Sequence, residues 1–207
     1  MSPRPYQLGK RQEQVDEVRQ RVVGAARELL GGSTSYTAFT VDAVAKKADV
    51  ARATVYYQFE SKTGLLEAVC DSLAFEGGLA ELEGAFKQAD PHLALRDFVR
   101  SFARFWSVDR LVMRRLRALA ALDPEVGQVI AERDQRRRTG LGVLLERLFP
   151  GQAGKPTAKL EDLLTVLYTL TSFETFDSLS VRHHRPVGVA DEVTQLMEMA
   201  IGRYHKS

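Results

Sequence analysis

The chain has 207 residues, 44% of them hydrophobic, and a net charge of +2; that is enough apolar material for one good core or two small ones, and it excludes an intrinsically disordered chain. A single cysteine, Cys70, excludes an intramolecular disulfide and a cysteine-rich zinc site, and its helical spacing from Leu66 and Leu73 marks it as a small buried filler. No apolar run is long enough for a signal peptide or a membrane span, so a soluble, cytoplasmic protein without a membrane partner is expected.

Residues 1–12 are polar and basic, with Arg4, Lys10 and Arg11, and Pro3 and Pro5 favour an extended backbone. They are expected to form a flexible N-terminal arm. From Glu13 to Leu30, Val15, Val18, Val22, Ala25, Ala26 and Leu29 recur at helical intervals, and Gly31-Gly32 ends the pattern where a C-cap belongs. Ser33 to Phe39 follows as a polar loop.

Thr40 to Lys62 runs TVDAVAKKADVARATVYYQFESK. Val41, Val44, Ala45 and Ala48 fall at i, i+3, i+4 and i+7, so a short helix with one apolar face starts after Thr40, whose hydroxyl can cap it. Asp49, Val50 and Ala51 are enough only to turn the chain, and Val55 and Phe59 then give a second short helix its stripe. Two short helices joined by a three-residue turn form a helix-turn-helix, at about residues 40–59. The outward face of the second helix carries Arg52, Thr54, Tyr56 and Tyr57, groups able to reach base edges and phosphates of DNA. Arg52, Ala53, Thr54 and Tyr56 are therefore expected in the major groove. Arg52 suits a guanine, and Ala53 or the Thr54 methyl suits a thymine methyl. Thr40, Tyr57, Gln58 and Lys62 are expected on phosphates, Lys62 aided by the helix N-terminus beside it. Beside such a motif, residues 1–12 are either a disordered tail or an arm along the adjacent minor groove. Residues 1–62 hold ten Lys or Arg against seven Asp or Glu, and the rest nineteen against twenty. The basic excess thus lies at the DNA-reading end.

Ser61 and Lys62 open a long helix to about Gln88, interrupted at Gly77-Gly78, with Leu65, Leu66, Val69, Leu73 and Leu82 on its apolar side. Asp90-Pro91 is a cap and first-turn proline, and Leu95, Phe98, Val99, Phe102, Phe105 and Trp106 follow without a break in phase. A helix from about Asp109 to Leu122 places Leu111, Val112, Met113, Leu116 and Leu119 inside and Arg110, Arg114, Arg115 and Arg117 largely outside. Asp123-Pro124 opens another to Phe149, past Arg136, Arg137 and Arg138. Interleaved with Glu125, Glu132 and Asp134, these arginines are expected on a solvated face. Pro150 to Pro156 is a linker. From Thr157 to about Ser180, Leu160, Leu163, Leu164, Val166, Leu167, Leu170, Phe173, Phe176 and Leu179 cover most of the circumference, so that helix needs cover on two sides, one from its own domain and one from a second copy. Glu174 and Asp177 interrupt it, to pair with an arginine, face solvent or meet a cationic effector. Val189, Val193, Leu196, Met197, Ala200, Ile201 and Tyr204 then mark a last amphipathic helix. No strand pattern occurs, so the fold class is all-α.

The threonine opening the first short helix, the alanine pair three residues apart, the valine in the turn and the run T-V-Y-Y-x-F-x-S-K resemble the DNA-binding domain of the TetR/AcrR transcriptional regulators over roughly Asp16 to Leu73. Two positions depart from that pattern: Asp49 stands where glycine is usual and Ala51 where serine is usual. Asp tolerates a left-handed backbone, and loss of the serine cap costs about 1 kcal/mol unless Asp49 caps instead. The resemblance implies an N-terminal arm at 1–12, a DNA-binding domain at 13–75 and a helical effector-binding and dimerisation domain at 76–207. It also implies a homodimer through the last two long helices, by way of Leu163, Leu167, Leu170, Val193, Leu196 and Ala200. An effector cavity is implied as well, for which Phe98, Phe102, Phe105, Trp106, Met113, Tyr168, Phe173 and Glu174 are the candidates; from spacing alone they are equally a plain core. The expected function is a repressor released from a palindromic, double-stranded DNA operator by a small-molecule effector of unknown identity. Activation fits the same residues, as does a helical small-molecule-binding protein that has lost specific DNA binding. No glycine-rich phosphate loop, G-x-S-x-G elbow or His-x-x-x-His pair is present, so no catalytic residue, cofactor or metal is expected.

Overall fold

The computed structural model describes residues 4–32, 39–152, 157–183 and 185–205. They hold helices and turns and no strand. The chain divides into two compact units, Met1–Ser72 with Arg114–Val129, and Leu73–Met113 with Ile130–Ser207. The first unit therefore takes in a segment that the sequence assigns to the second domain.

In the first unit, α1 (Arg4–Gly31) is followed by α2 (Val41–Lys47), α3 (Arg52–Phe59) and most of α4 (Lys62–Glu76). The helix starts at Arg4, not at Glu13, so the extended arm expected over 1–12 is corrected for residues 4–12. Pro5 does not oppose this, because first-turn amides have no helical partner and the proline φ is already helical. Residues 1–3 and Ser33 to Ala38 of the expected loop lie outside the described residues; Phe39 is buried. Val22, Ala26 and Leu30 of α1, Val44 and Ala45 of α2, Val55 and Phe59 of α3 and Leu65, Leu66, Val69 and Cys70 of α4 are all buried, with α2 packed on α1 and on α3. Arg115, in α7 (Arg110–Leu122), donates to the Leu30 carbonyl at 2.7 Å, closing the last turn of α1. That carbonyl end has no partner within its own helix.

In the second unit, a 3-10 turn (Leu79–Glu81), α5 (Leu82–Lys87), α6 (Pro91–Ser107), most of α8 (Pro124–Leu148), α9 (Ala158–Leu170), α10 (Phe173–Leu179) and α11 (Pro186–His205) follow one another. Asp90 caps α6 as its sequence position demands, accepting from the His92 and Leu93 amides. α11 packs on α6 and α9, and α5 packs on α6. Gly77 ends α4 where a Cβ would lie 2.6 Å from the Phe105 Cα, so only glycine permits that approach. Pro150 to Gln152 forms a 3-10 turn, and the rest of the expected linker lies outside the described residues.

Two expectations are corrected here. The single helix expected over 157–180 is two, α9 and α10, broken at Thr171-Ser172. Its apolar spacing runs through the break because the break is filled from other helices. Trp106 Nε1 donates to the Thr171 carbonyl at 3.1 Å, Arg137 donates to the Tyr168 carbonyl and to Thr171 Oγ1 at 2.7 Å each, and Ser172 caps α10. Arg114 and Arg136 are exposed as expected, but the arginines do not all lie on a solvated face. Arg137 is 4% exposed, Arg110 is bound to Asp177 at 2.8 Å, and Arg138 to Glu161 at 2.9 Å. The signal was present for Arg137, which lies in phase with the fully buried Leu141 and Leu144.

Candidate nucleic-acid interface

The α2–α3 pair is built as its residues dictate. Thr40 Oγ1 accepts from the Ala43 amide at 3.1 Å and caps α2, while Val41, Val44 and Ala45 are buried. Asp49 has φ 53, the left-handed turn that its residue type tolerates. α3 has no side-chain cap, so Asp49 does not replace the missing serine and the possible compensation is corrected. Val55 and Phe59 anchor α3 inward. Arg19, which sequence spacing did not single out, holds its far end: the guanidinium donates to the Gln58 carbonyl at 2.7 Å and lies 4.5 Å above the Phe59 ring. Ser61 caps α4 by accepting from the Gly64 amide at 2.9 Å, and a Cβ on Gly64 would fall 2.1 Å from the Phe59 carbonyl oxygen.

The outward face of α3 carries Arg52, Ala53, Tyr56 and Tyr57, with Thr54 and Gln58 half-buried at its margin; Tyr57 is 82% exposed. Arg52 does not extend alone. Its Nη1 donates to Asp42 Oδ2 at 3.2 Å and its Nη2 to the Tyr56 hydroxyl at 3.3 Å, with the guanidinium 5.4 Å from the Tyr56 ring centre. The Tyr56 hydrogen bond first, and then the Asp42 charge, push the Arg52 pKa further up.

Lys62 is engaged within its unit. Its Nζ lies 2.9 Å from Asp123 Oδ2, and Thr63 donates to Glu125 at 3.3 Å. Asp123 is also the cap of α8, accepting from the Glu125 and Val126 amides. The Lys62 hydrogen bond above all, with those amides and against a burial cost, holds the Asp123 carboxyl below the usual carboxylate range.

Most of the pocket candidates of the second unit are buried side by side. Phe98, Phe102, Phe105, Trp106, Met113 and Phe173 are buried, with ring centres 4.8 Å apart for Phe98–Phe102, 4.5 Å for Phe105–Trp106 and 5.6 Å for Trp106–Phe173. Tyr168 is half-buried under the Arg137 guanidinium at 4.2 Å, and Glu174 is exposed. These rings fill one another's space. A cleft of about 540 Å³ opens on another part of α6, bordered by Glu81, Arg100, Ser101, Arg104, Val187 and Ala190. Of the dimerisation candidates, Leu163, Leu167 and Val193 are buried in the protomer's own core; Leu170, Leu196 and Ala200 are partly exposed, beside the exposed Val166 and Met199. Among the described residues no group of three His, Cys, Asp or Glu is arranged to hold a metal, and no helix is long and apolar enough to cross a membrane.

A capped helix-turn-helix with an exposed arginine and two tyrosines on its second helix, within an all-helical chain, defines a DNA-binding regulator. Residues 22–69 match the family model described as bacterial regulatory proteins, tetR family. The match takes in the end of α1, the helix-turn-helix and the first half of α4, so this part of the chain is similar to the DNA-binding domain of that family. Solved structures agree in fold. A putative transcriptional regulator from Pseudomonas aeruginosa PAO1 is 14% identical, with 91% of this chain and 92% of that one covered at a TM-score of 0.71. A TetR family regulator, PfmR, from Thermus thermophilus is 20% identical over 87% and 96% of the two chains, at 0.59. A transcriptional regulator from Rhodococcus sp. Rha1 is 19% identical over 89% and 96%, at 0.64. No curated protein sequence matches the chain.

Proposed function

We propose that the chain is a homodimeric repressor that binds a palindromic operator through α3 and leaves it when a small molecule binds the second unit. The observation that carries this reading is the face of α3, where Arg52, Ala53, Tyr56 and Tyr57 stand outward on a helix fixed from beneath by Val55, Phe59 and Arg19. A rigid helix presenting donors and aromatic rings to solvent matches the width of the major groove. Arg52, Ala53, Thr54 and Tyr56 are assigned to bases. Thr40, Tyr57, Gln58 and Lys62 are assigned to phosphates. The Thr40 hydroxyl accepts from Ala43 and keeps its own proton to donate, so capping and phosphate contact are compatible.

The exposed apolar side chains Val166, Leu196 and Met199 on α9 and α11 support pairing with a second copy. The effector role draws its support from the cleft rather than from the aromatic rings, since about 540 Å³ lies within the usual range of small-molecule sites. Release follows if the effector binds better to a conformation that does not fit the operator. Selection of binding sites from random DNA by the purified protein tests the reading. Enrichment of a two-fold symmetric sequence is expected, and a pool that stays random after repeated rounds refutes it.

A further inference from the structure

Arg52 is tied at both ends of its guanidinium, to Asp42 on α2 and to Tyr56 one turn along α3. All three side chains are exposed, and an exposed pair of this kind contributes little to folding. Its effect is geometric. An unrestrained arginine beside DNA lies against the nearest phosphate, where charge attraction is strongest and carries no sequence information. Held by two acceptors on two helices, the guanidinium keeps its plane fixed and three of its five N–H groups available, as paired contact with guanine O6 and N7 requires. Adenine offers a donor where guanine offers O6, so a fixed fork rejects it and a mobile one does not. The Asp42 carboxylate has a second consequence: a negative charge on the DNA-facing surface lowers the attraction for every sequence alike.

We propose that Asp42, assisted by Tyr56, is a positioning residue that directs Arg52 to guanine and so sets base selectivity at one position of each half-site. This rests on the reading of α3 as the major-groove helix. The two effects of Asp42 have opposite signs, which separates the role from a structural one. An acidic residue in the first turn of α2 also favours that helix, but losing that contribution would weaken binding to all DNA.

The test uses the full chain and the operator it selects, measuring by competition the preference for guanine over adenine at each base pair, together with affinity for random-sequence DNA. Arg52→Ala is expected to abolish the preference at one base pair, a loss of about tenfold or more. Asp42→Ala is expected to lose most of it at that same base pair while binding random DNA more tightly, with its thermal midpoint lowered only slightly. Asp42→Asn keeps an acceptor but no charge, and is expected to retain the preference while also binding random DNA more tightly. In the Arg52→Ala background, Asp42→Ala is expected to change the preference no further. Full guanine preference in Asp42→Ala, or a uniform loss across sequences, overturns the positioning role while leaving α3 as the reading helix. If Arg52→Ala alters no base pair, both fall.

Discussion

Lys62 is held by Asp123 in the protein and is also the lysine assigned to an operator phosphate, so one ammonium serves two anions. Asn is as good a helix cap as Asp. Asp123→Asn should therefore keep the α8 cap and cost at most about 1 kcal/mol of stability through the lost pair. Its affinity for all DNA sequences should rise, with the salt slope steeper by up to about one phosphate contact. Lys62→Ala should do the reverse, and fluorescence anisotropy over a KCl series checks both. The pH dependence follows from the sign of the shift. The folded-state pKa of Asp123 is lowered, chiefly by Lys62. Its contribution is thus fully present above the ordinary carboxylate value of about 4 and is lost as pH falls through the lowered folded value. Urea unfolding between pH 6 and pH 3 should show a shallower acid loss in Asp123→Asn than in the parent. Lys62 and its place at a helix start are visible in the sequence. Asp123, sixty-one residues away, is visible only as a cap.

At the scale of elements, the helices whose ends carry their own signals are the ones the sequence places well. Thr40 and Asp90 act through bonds, and Gly78 through its left-handed backbone, within a few residues, and α2, α6 and the end of α4 fall where they dictate. The α9–α10 break has no such local origin except Ser172, since its carbonyls are taken by Arg137 and Trp106 from other helices. Arg137→Ala removes a buried cation's bonds to the Tyr168 carbonyl and Thr171 and should destabilise the fold by about 3–5 kcal/mol, read as a fall in the denaturation midpoint. Gly77→Ala places a methyl against the α6 backbone and should cost about 1–3 kcal/mol by the same measurement. DNA binding at low temperature should survive the glycine change, because the reading helix lies in the other unit.

For the whole molecule, the proposed dimer is checked by mass. The chain is 23.1 kDa, so light scattering at micromolar concentration should give twice that, and a single-chain mass contradicts the proposal. Met199→Asp puts a charge on the most exposed apolar residue of α11 and should shift the mass toward one chain, with operator affinity falling as paired half-site binding is lost.

The sequence by itself determined the all-helical class, the helix-turn-helix and the residues on its outward face. Those follow from the period of apolar residues and from caps that act within one turn. Tertiary structure alone decided that the aromatic stripe packs upon itself, that Leu163, Leu167 and Val193 are spent on the protomer's own core, and that Arg137 lies inside. It also decided that Arg52 is held by Asp42 and Lys62 by Asp123. Periodicity says which face of a helix is apolar; it does not say which neighbour covers that face, nor which distant charge meets an arginine or a lysine once the helices have packed.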